Sequence, residues 1–166
     1  MTLHALVLTC LLLAAPAAQT PTDFSGTWSL DAEKTMQPDS EGRIVLAPML
    51  GERVVVQQTP TSITLRITVR GDVVVAVYDL TGAESRNVSP GDITVISRAS
   101  WKDDRLVIES TSDSVEKGKP ITIRTTRVLW IDKAGDLIVE RTGTPASAVT
   151  PSRSVYRRVR RALAED

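Results

Sequence analysis

Hydrophobic and polar residues alternate most regularly between Ser62 and Arg70. There Ile63, Leu65, Ile67 and Val69 interleave with Thr64, Arg66, Thr68 and Arg70. A period of two turns one set toward a core and the other toward water, as in a half-buried β-strand. Similar segments recur along the chain, divided by short turn sequences. A first strand over residues 23–31 carries Phe24-Ser25-Gly26-Thr27-Trp28, and Asp31 is placed to cap a short helical turn over Ala32-Glu33-Lys34. Residues 35–51 read as a long connection, broken by Pro38, Gly42, Pro48 and Gly51 but apolar from Ile44 to Leu50, so it is expected to fold over one end of the domain.

Strands are then expected over Arg53–Thr59, Ser62–Arg70, Val73–Leu80, Asp92–Trp101, Arg105–Ser112, Ile121–Ile131, Asp136–Thr142 and Ser154–Arg161. The turns between them include Pro60-Thr61, Gly71-Asp72, Lys102-Asp103-Asp104 and Asp132 to Gly135. Three features of this pattern matter below. Val73–Leu80 is apolar on both faces, so its inner face stays open. Residues 85–91 read as irregular. The parity of Ile121 and Ile123 blurs from Val128 to Ile131, which predicts a β-bulge; Trp130 is assigned to the core. No segment carries a sustained helical period. The whole reads as an all-β, antiparallel up-and-down meander of eight or nine strands. Such a chain closes into a barrel, which removes exposed edges, or folds as a β-sandwich; closure is the expectation.

The first 22 residues contain no Lys, Arg, Asp or Glu, and Leu6 to Ala15 is an apolar stretch too short to span a bilayer. With the small residues of Ala15-Pro16-Ala17 it reads as a signal peptide over residues 1–18, leaving one domain over residues 19–166. A lipobox at Leu8-Thr9-Cys10 is disfavoured by the bulk of Thr9 and the short stretch before it. The expected destination is the periplasm or the medium.

Export removes His4 and Cys10, the only His and Cys of the chain. Without them, Ser-His-Asp and Cys-His catalysis, a disulfide and a His/Cys zinc site are excluded. The roughly 148 residues that remain must rely on a core, which a domain of that size can build. Twenty basic and twenty acidic residues balance to zero net charge, which excludes an electrostatic grip on nucleic acid or an anionic membrane. Three Trp, two Tyr and one Phe are too few for a base-stacking platform.

The carboxylates offer little chemistry. Asp103-Asp104 lies between two strands, where adjacent Asp residues form turns, and Glu109 and Glu140 alternate outward. No catalytic residue, metal ligand or cofactor is assigned. Arg141 shares parity with Leu137 and Val139. It either points inward, as an anchor for a carboxylate or phosphate, or reaches solvent where the strand ends. The arginines at 153, 157, 158, 160 and 161 read as a solvated edge, or else as an anion-binding patch.

Gly26-Thr27-Trp28 on the opening strand resembles the G-x-W signature of lipocalins and the wider calycin group. More closely, the chain resembles lipocalin-like, uncharacterised exported bacterial proteins. These share an F-x-G-x-W opening (Phe24 to Trp28), a Y-D-L-x-G hairpin (Tyr78 to Gly82) and a W-x-x-x-x-L-x-I hairpin (Trp101 to Ile108). The chain departs from true lipocalins in lacking a T-D-x-x-Y motif, a disulfide and a C-terminal helix. The resemblance covers most of residues 23–161. It implies that Trp28 closes the barrel floor under Arg157 or Arg158, and that the first connection forms a lid. It implies a fold and no particular activity.

An eight-stranded barrel is either filled by side chains or just wide enough for one small ligand. The leading expectation is a non-enzymatic binding protein holding a small apolar molecule, its pocket lined by Leu65, Ile67, Val95, Ala99, Leu106, Ile108, Leu129 and Arg141. The alternative is a filled barrel serving as a structural or protein-interaction module. Neither involves nucleic acid or stable membrane insertion.

Overall fold

The computed structural model describes residues 21–38, 44–46, 48–146 and 149–159. The expected leader, Arg160 and Arg161 lie outside these residues.

Among the described residues, twelve strands and one helical turn follow each other as β1 (Gly26–Leu30), α1 (Ala32–Thr35), β2 (Met36–Pro38), β3 (Ile44–Leu46), β4 (Arg53–Gln58), β5 (Ser62–Val69), β6 (Asp72–Asp79), β7 (Glu84–Ser89), β8 (Ile93–Lys102), β9 (Arg105–Glu116), β10 (Lys119–Ile131), β11 (Leu137–Thr144) and β12 (Ser152–Arg158). Ten of them form one sheet in the order β6-β5-β4-β1-β12-β11-β10-β9-β8-β7; β2 and β3 form a separate ribbon. Every pair in the large sheet is antiparallel. The first strand lies between β4 and the last strand, so the meander wraps back on itself as a nearly closed barrel. The expected all-β meander is the observed one, with ten strands where eight or nine were expected.

The wrap leaves one seam. β6 and β7 follow each other in sequence yet share no backbone ladder; side chains join them instead. The Val77 N–H donates to Asn87 Oδ1 at 2.8 Å, and Asn87 Nδ2 donates back to the Val77 carbonyl at 3.0 Å. The Asp79 N–H donates to Ser85 Oγ at 2.8 Å. The amide of Asn87 thus supplies the donor and acceptor that a paired strand residue would supply. This explains a miss in the sequence reading. Residues 85–91 read as irregular because the seam-facing positions Ser85 and Asn87 are polar and Val88 points out, 57% exposed.

Three other expectations are corrected. The blurred parity near Val128 is not a bulge: β10 pairs without interruption with β9 from Lys119 to Leu129 and with β11 from Arg124 to Ile131. The blur arises because the outer face is also hydrophobic there. Trp130 lies on that outer face, half-buried under the guanidinium groups of Arg105 at 4.5 Å and Arg153 at 5.9 Å, and is not part of the core. Val69, at the end of β5, is 41% exposed. On β6, which the pattern left open, Ala76 and Tyr78 face inward while Val73, Val75 and Val77 are exposed.

One end of the barrel is a sealed floor. Trp28 is fully buried and its indole N–H donates to the Phe24 carbonyl at 2.9 Å. The Phe24 ring stacks on Trp101 with centroids 5.8 Å apart. Arg158, and not Arg157, lies over Trp28 at 4.2 Å and donates to the Ser25 carbonyl at 2.7 Å. Gly26 makes room for this contact: at φ +138, a Cβ there would lie 2.7 Å from Arg158 Nη1. Arg157 turns the other way, onto the buried carboxylate of Asp31 at 2.7 Å, while Asp31 also caps α1 as expected.

The apolar connection does reach the barrel. Leu50 is fully buried, its N–H donates to the Tyr156 hydroxyl at 2.7 Å, and that hydroxyl donates to the Gly51 carbonyl at 3.2 Å. Gly51 (φ +64) is held so close to β5 that a Cβ would meet the Thr68 carbonyl.

Candidate functional site

The inner face of the barrel changes character along each strand. Nearest the floor, β8 to β11 contribute Ala99, Leu106, Ile108, Leu129, Leu137 and Val139, all 0–1% exposed. Leu65 from β5 and Tyr156 from β12 are sealed with them at 0%. A side chain with no exposed surface borders no void that admits a water, so this half of the lumen is packed solid. Five of the eight residues assigned to a pocket from the sequence, Leu65, Ala99, Leu106, Ile108 and Leu129, belong to it. Ile67 is at its border, 9% exposed.

Farther along, the lining turns polar and the lumen opens. Beyond Leu129, β10 places Arg127, Thr125, Ile123 and Ile121 on its inner parity, all half-buried. Beyond Ile108, β9 places Ser110, Ser112 and Ser114; beyond Ala99, β8 places Ser97, Val95 and Ile93. Ser97 and Ser110 share a hydrogen bond of 2.9 Å and are nearly buried. Val95, Ser112 and Ser114 are half-buried and Ile93 is 38% exposed, so solvent enters between them.

Two arginines stand at the boundary between the halves. β11 continues to Thr144, so Arg141 lies within the strand rather than beyond its end. It pairs across the sheet with Arg127 on one side and Ser152 on the other. Burial pulls the Arg141 guanidinium below its usual pKa, and the nearby charge of Arg127 pulls the same way. Its Nε is buried without a hydrogen-bond partner, and so is Ser152 Oγ. A groove of about 270 Å³ where β11 and β12 diverge is lined by both residues together with Glu140 and Arg153 of the outer face.

Arg127 spans the lumen from β10: its Nη2 donates to the Tyr78 hydroxyl on β6 at 3.0 Å, and its guanidinium lies 5.9 Å from the Tyr78 ring. Among the described residues neither arginine forms an ion pair. The sequence reading picked out Arg141 but not Arg127, Tyr78 or Ser152. Arg127 was legible as sharing the parity of Ile121 and Ile123. Tyr78 was not, because both faces of its strand are apolar in sequence.

The carboxylates weighed for catalysis do not meet in the lumen. Asp103 and Asp104 are exposed in the β8–β9 turn, where Asp103 has a φ of 56°. Glu109 lies on the outer face opposite Arg98, and Glu140, also outside, is 3.9 Å from Arg153.

No protein-family model matches the chain. No curated protein matches it either. Forty-five chains of solved structure do match. One is a mutant of the fluorescent protein UnaG: the two share 20% identity over 82% of this chain and 96% of that one, with a TM-score of 0.51. At that identity the likeness speaks for the fold alone. Together with the nearly closed ten-stranded barrel, it shows that this chain shares the β-barrel fold of that protein.

Proposed function

We propose that the chain is an exported, non-enzymatic binding protein that takes a small, largely apolar molecule into the open half of its barrel. The observation that carries this reading is the division of the lumen. Beneath lies a sealed apolar floor; above it Val95, Ile121 and Ile123 are hydrophobic, face inward and remain partly exposed. Partly exposed apolar residues on the inner face of a barrel offer the surface that a small apolar ligand requires. A calycin-type barrel and an N-terminal segment that reads as a leader are consistent with such a role outside the cytoplasm. The test is native mass spectrometry of gently purified protein, followed by organic extraction. A stoichiometric apolar passenger is the expected result; an apo mass with no thermal shift from fatty acids, sterols or quinones would remove the reading.

A second reading, a protein-interaction module, has its own support. Val73, Val75 and Val77 on the outer face of β6 are 54%, 43% and 45% exposed, and Val88 across the seam is 57% exposed. Contiguous exposed apolar surface of this kind marks contact sites on soluble proteins.

A further inference from the structure

We infer that the outer face at the seam docks a protein segment that is both apolar and acidic, its apolar side chains on Val73, Val75, Val77 and Val88 and its carboxylates on Arg66, Arg70 and Arg86. This rests on the interaction-module reading and adds the chemistry of the partner; it is independent of what the lumen holds.

The four valines, 43–57% exposed, stand on the two strands that border the seam. Strand propensity does not account for them. Thr68 and Thr64, directly paired with Val73 and Val77 from β5, are equally β-branched and suit a wet face. Exposed apolar residues on a strand without a ladder partner on one side invite pairing with other chains, and proteins commonly interrupt them with a charge or a proline. From Val73 to Val77, β6 carries neither. A partner that covers the stripe removes its apolar surface from water.

Charge selects the partner. Arg66 pairs across the sheet with Val75 on one side of the stripe, and Arg86 lies on the outer face of β7 on the other; both are exposed. Arg70 is exposed in the turn between β5 and β6. Among the described residues none of the three forms an ion pair. The carboxylates nearby do not neutralise them. Glu84 lies 3.7 Å from Arg98, and Asp79 Oδ1 accepts from the N–H groups of Thr81 and Ala83. Asp72 has the inner parity of Ala76 and Tyr78, and Asp92 lines a groove with Arg86 without pairing to it. The patch is apolar at its centre and cationic at its rim, the complement of an apolar segment that carries carboxylates.

The same arginines disfavour a second copy of the chain. In an aligned two-fold contact through this face, with strands parallel or antiparallel, Arg66 of one copy meets Arg66 or Arg86 of the other. An anionic bilayer shares the preference for cations, but lipid-facing patches gain depth from aromatic or long aliphatic side chains, and this stripe is all valine.

The test titrates the full-length mature protein with two acetylated, amidated peptides, DVDLDVD and KVKLKVK, which match in apolar content and differ in charge, while amide NMR shifts report the site. The acidic peptide should move the signals of Val73, Val75, Val77 and Val88 and bind about 10-fold more tightly than the basic one at low salt. Its advantage should shrink as salt is raised. The double variant Arg66→Glu, Arg86→Glu should abolish the advantage and leave the Tm unchanged, since both side chains are exposed. Val75→Thr should weaken the acidic peptide several-fold; it carries the test if the double variant folds poorly.

Equal binding of the two peptides at the valines, or a preference that survives the double variant, would overturn the acidic partner while leaving an interaction surface. If neither peptide moves these signals, the interaction-module reading falls with it. Phosphatidylglycerol vesicles that broaden the same signals while DVDLDVD does not would make lipid the occupant. A dimer in sedimentation equilibrium that Val75→Glu dissociates would make it a second copy. Either result overturns the proposal.

Discussion

At the scale of the residue, the barrel depends on a few side chains whose partners are far away in sequence. Arg158 lies over Trp28 and bonds the Ser25 carbonyl. A surface cation–π contact and one charged hydrogen bond together predict that Arg158→Ala lowers stability by about 1–2 kcal/mol in urea denaturation. Gly26→Ala should cost about 1–3 kcal/mol, because φ +138 is a poor conformation for a residue with a Cβ. Part of that cost is the contact with Arg158, so the double variant should be more stable than the sum of the singles implies. Tyr156 gives a pH signature. Burial raises its hydroxyl pKa from the usual 10.0 to about 12. A group whose pKa is raised by folding contributes in full below its unfolded pKa and loses that contribution as pH rises through the folded one. The wild type should therefore lose roughly 3 kcal/mol between pH 10 and 12 that Tyr156→Phe does not lose, read as the difference in urea midpoints.

At the scale of the element, the β6–β7 seam tests how a barrel closes without a ladder. Asn87→Ala removes both bonds to Val77. It should cost about 1–3 kcal/mol and speed hydrogen exchange at Val77 more than at Leu65. Asn87→Asp keeps only an acceptor and should fall between. The same strand shows where sequence patterning stops being informative. β5 was legible because one of its faces is apolar and the other polar. β7 was not, because its inward positions hold hydrogen-bonding side chains that bridge a gap visible only in three dimensions. β6 and the end of β10 were half-legible for the opposite reason: both faces are hydrophobic, so alternation carries no direction. The ribbon of β2 and β3 is only three residues a strand, too short for a period to register.

At the scale of the whole molecule, closure was legible in the count of strands and in Gly26-Thr27-Trp28, since a bulky aromatic on the first strand needs a floor to plug. The division of the lumen was not. It follows from which inner rows face each other: apolar Leu106, Leu129 and Val139 in one row, and Ile108, Arg127 and Arg141 in the next. Register across three strands creates that change from sealed to polar, and no single strand records it. On the proposed binding reading, the ligand enters from the end opposite Trp28. The most direct measurement is a backbone amide NMR titration of the mature protein with decanoate. Lumen binding requires the largest shifts at Val95, Ile121, Ile123, Thr125 and Arg141, with Leu106 and Leu129 little changed. Shifts confined to Val73, Val75 and Val77 on the outer face, or none at all, would contradict it.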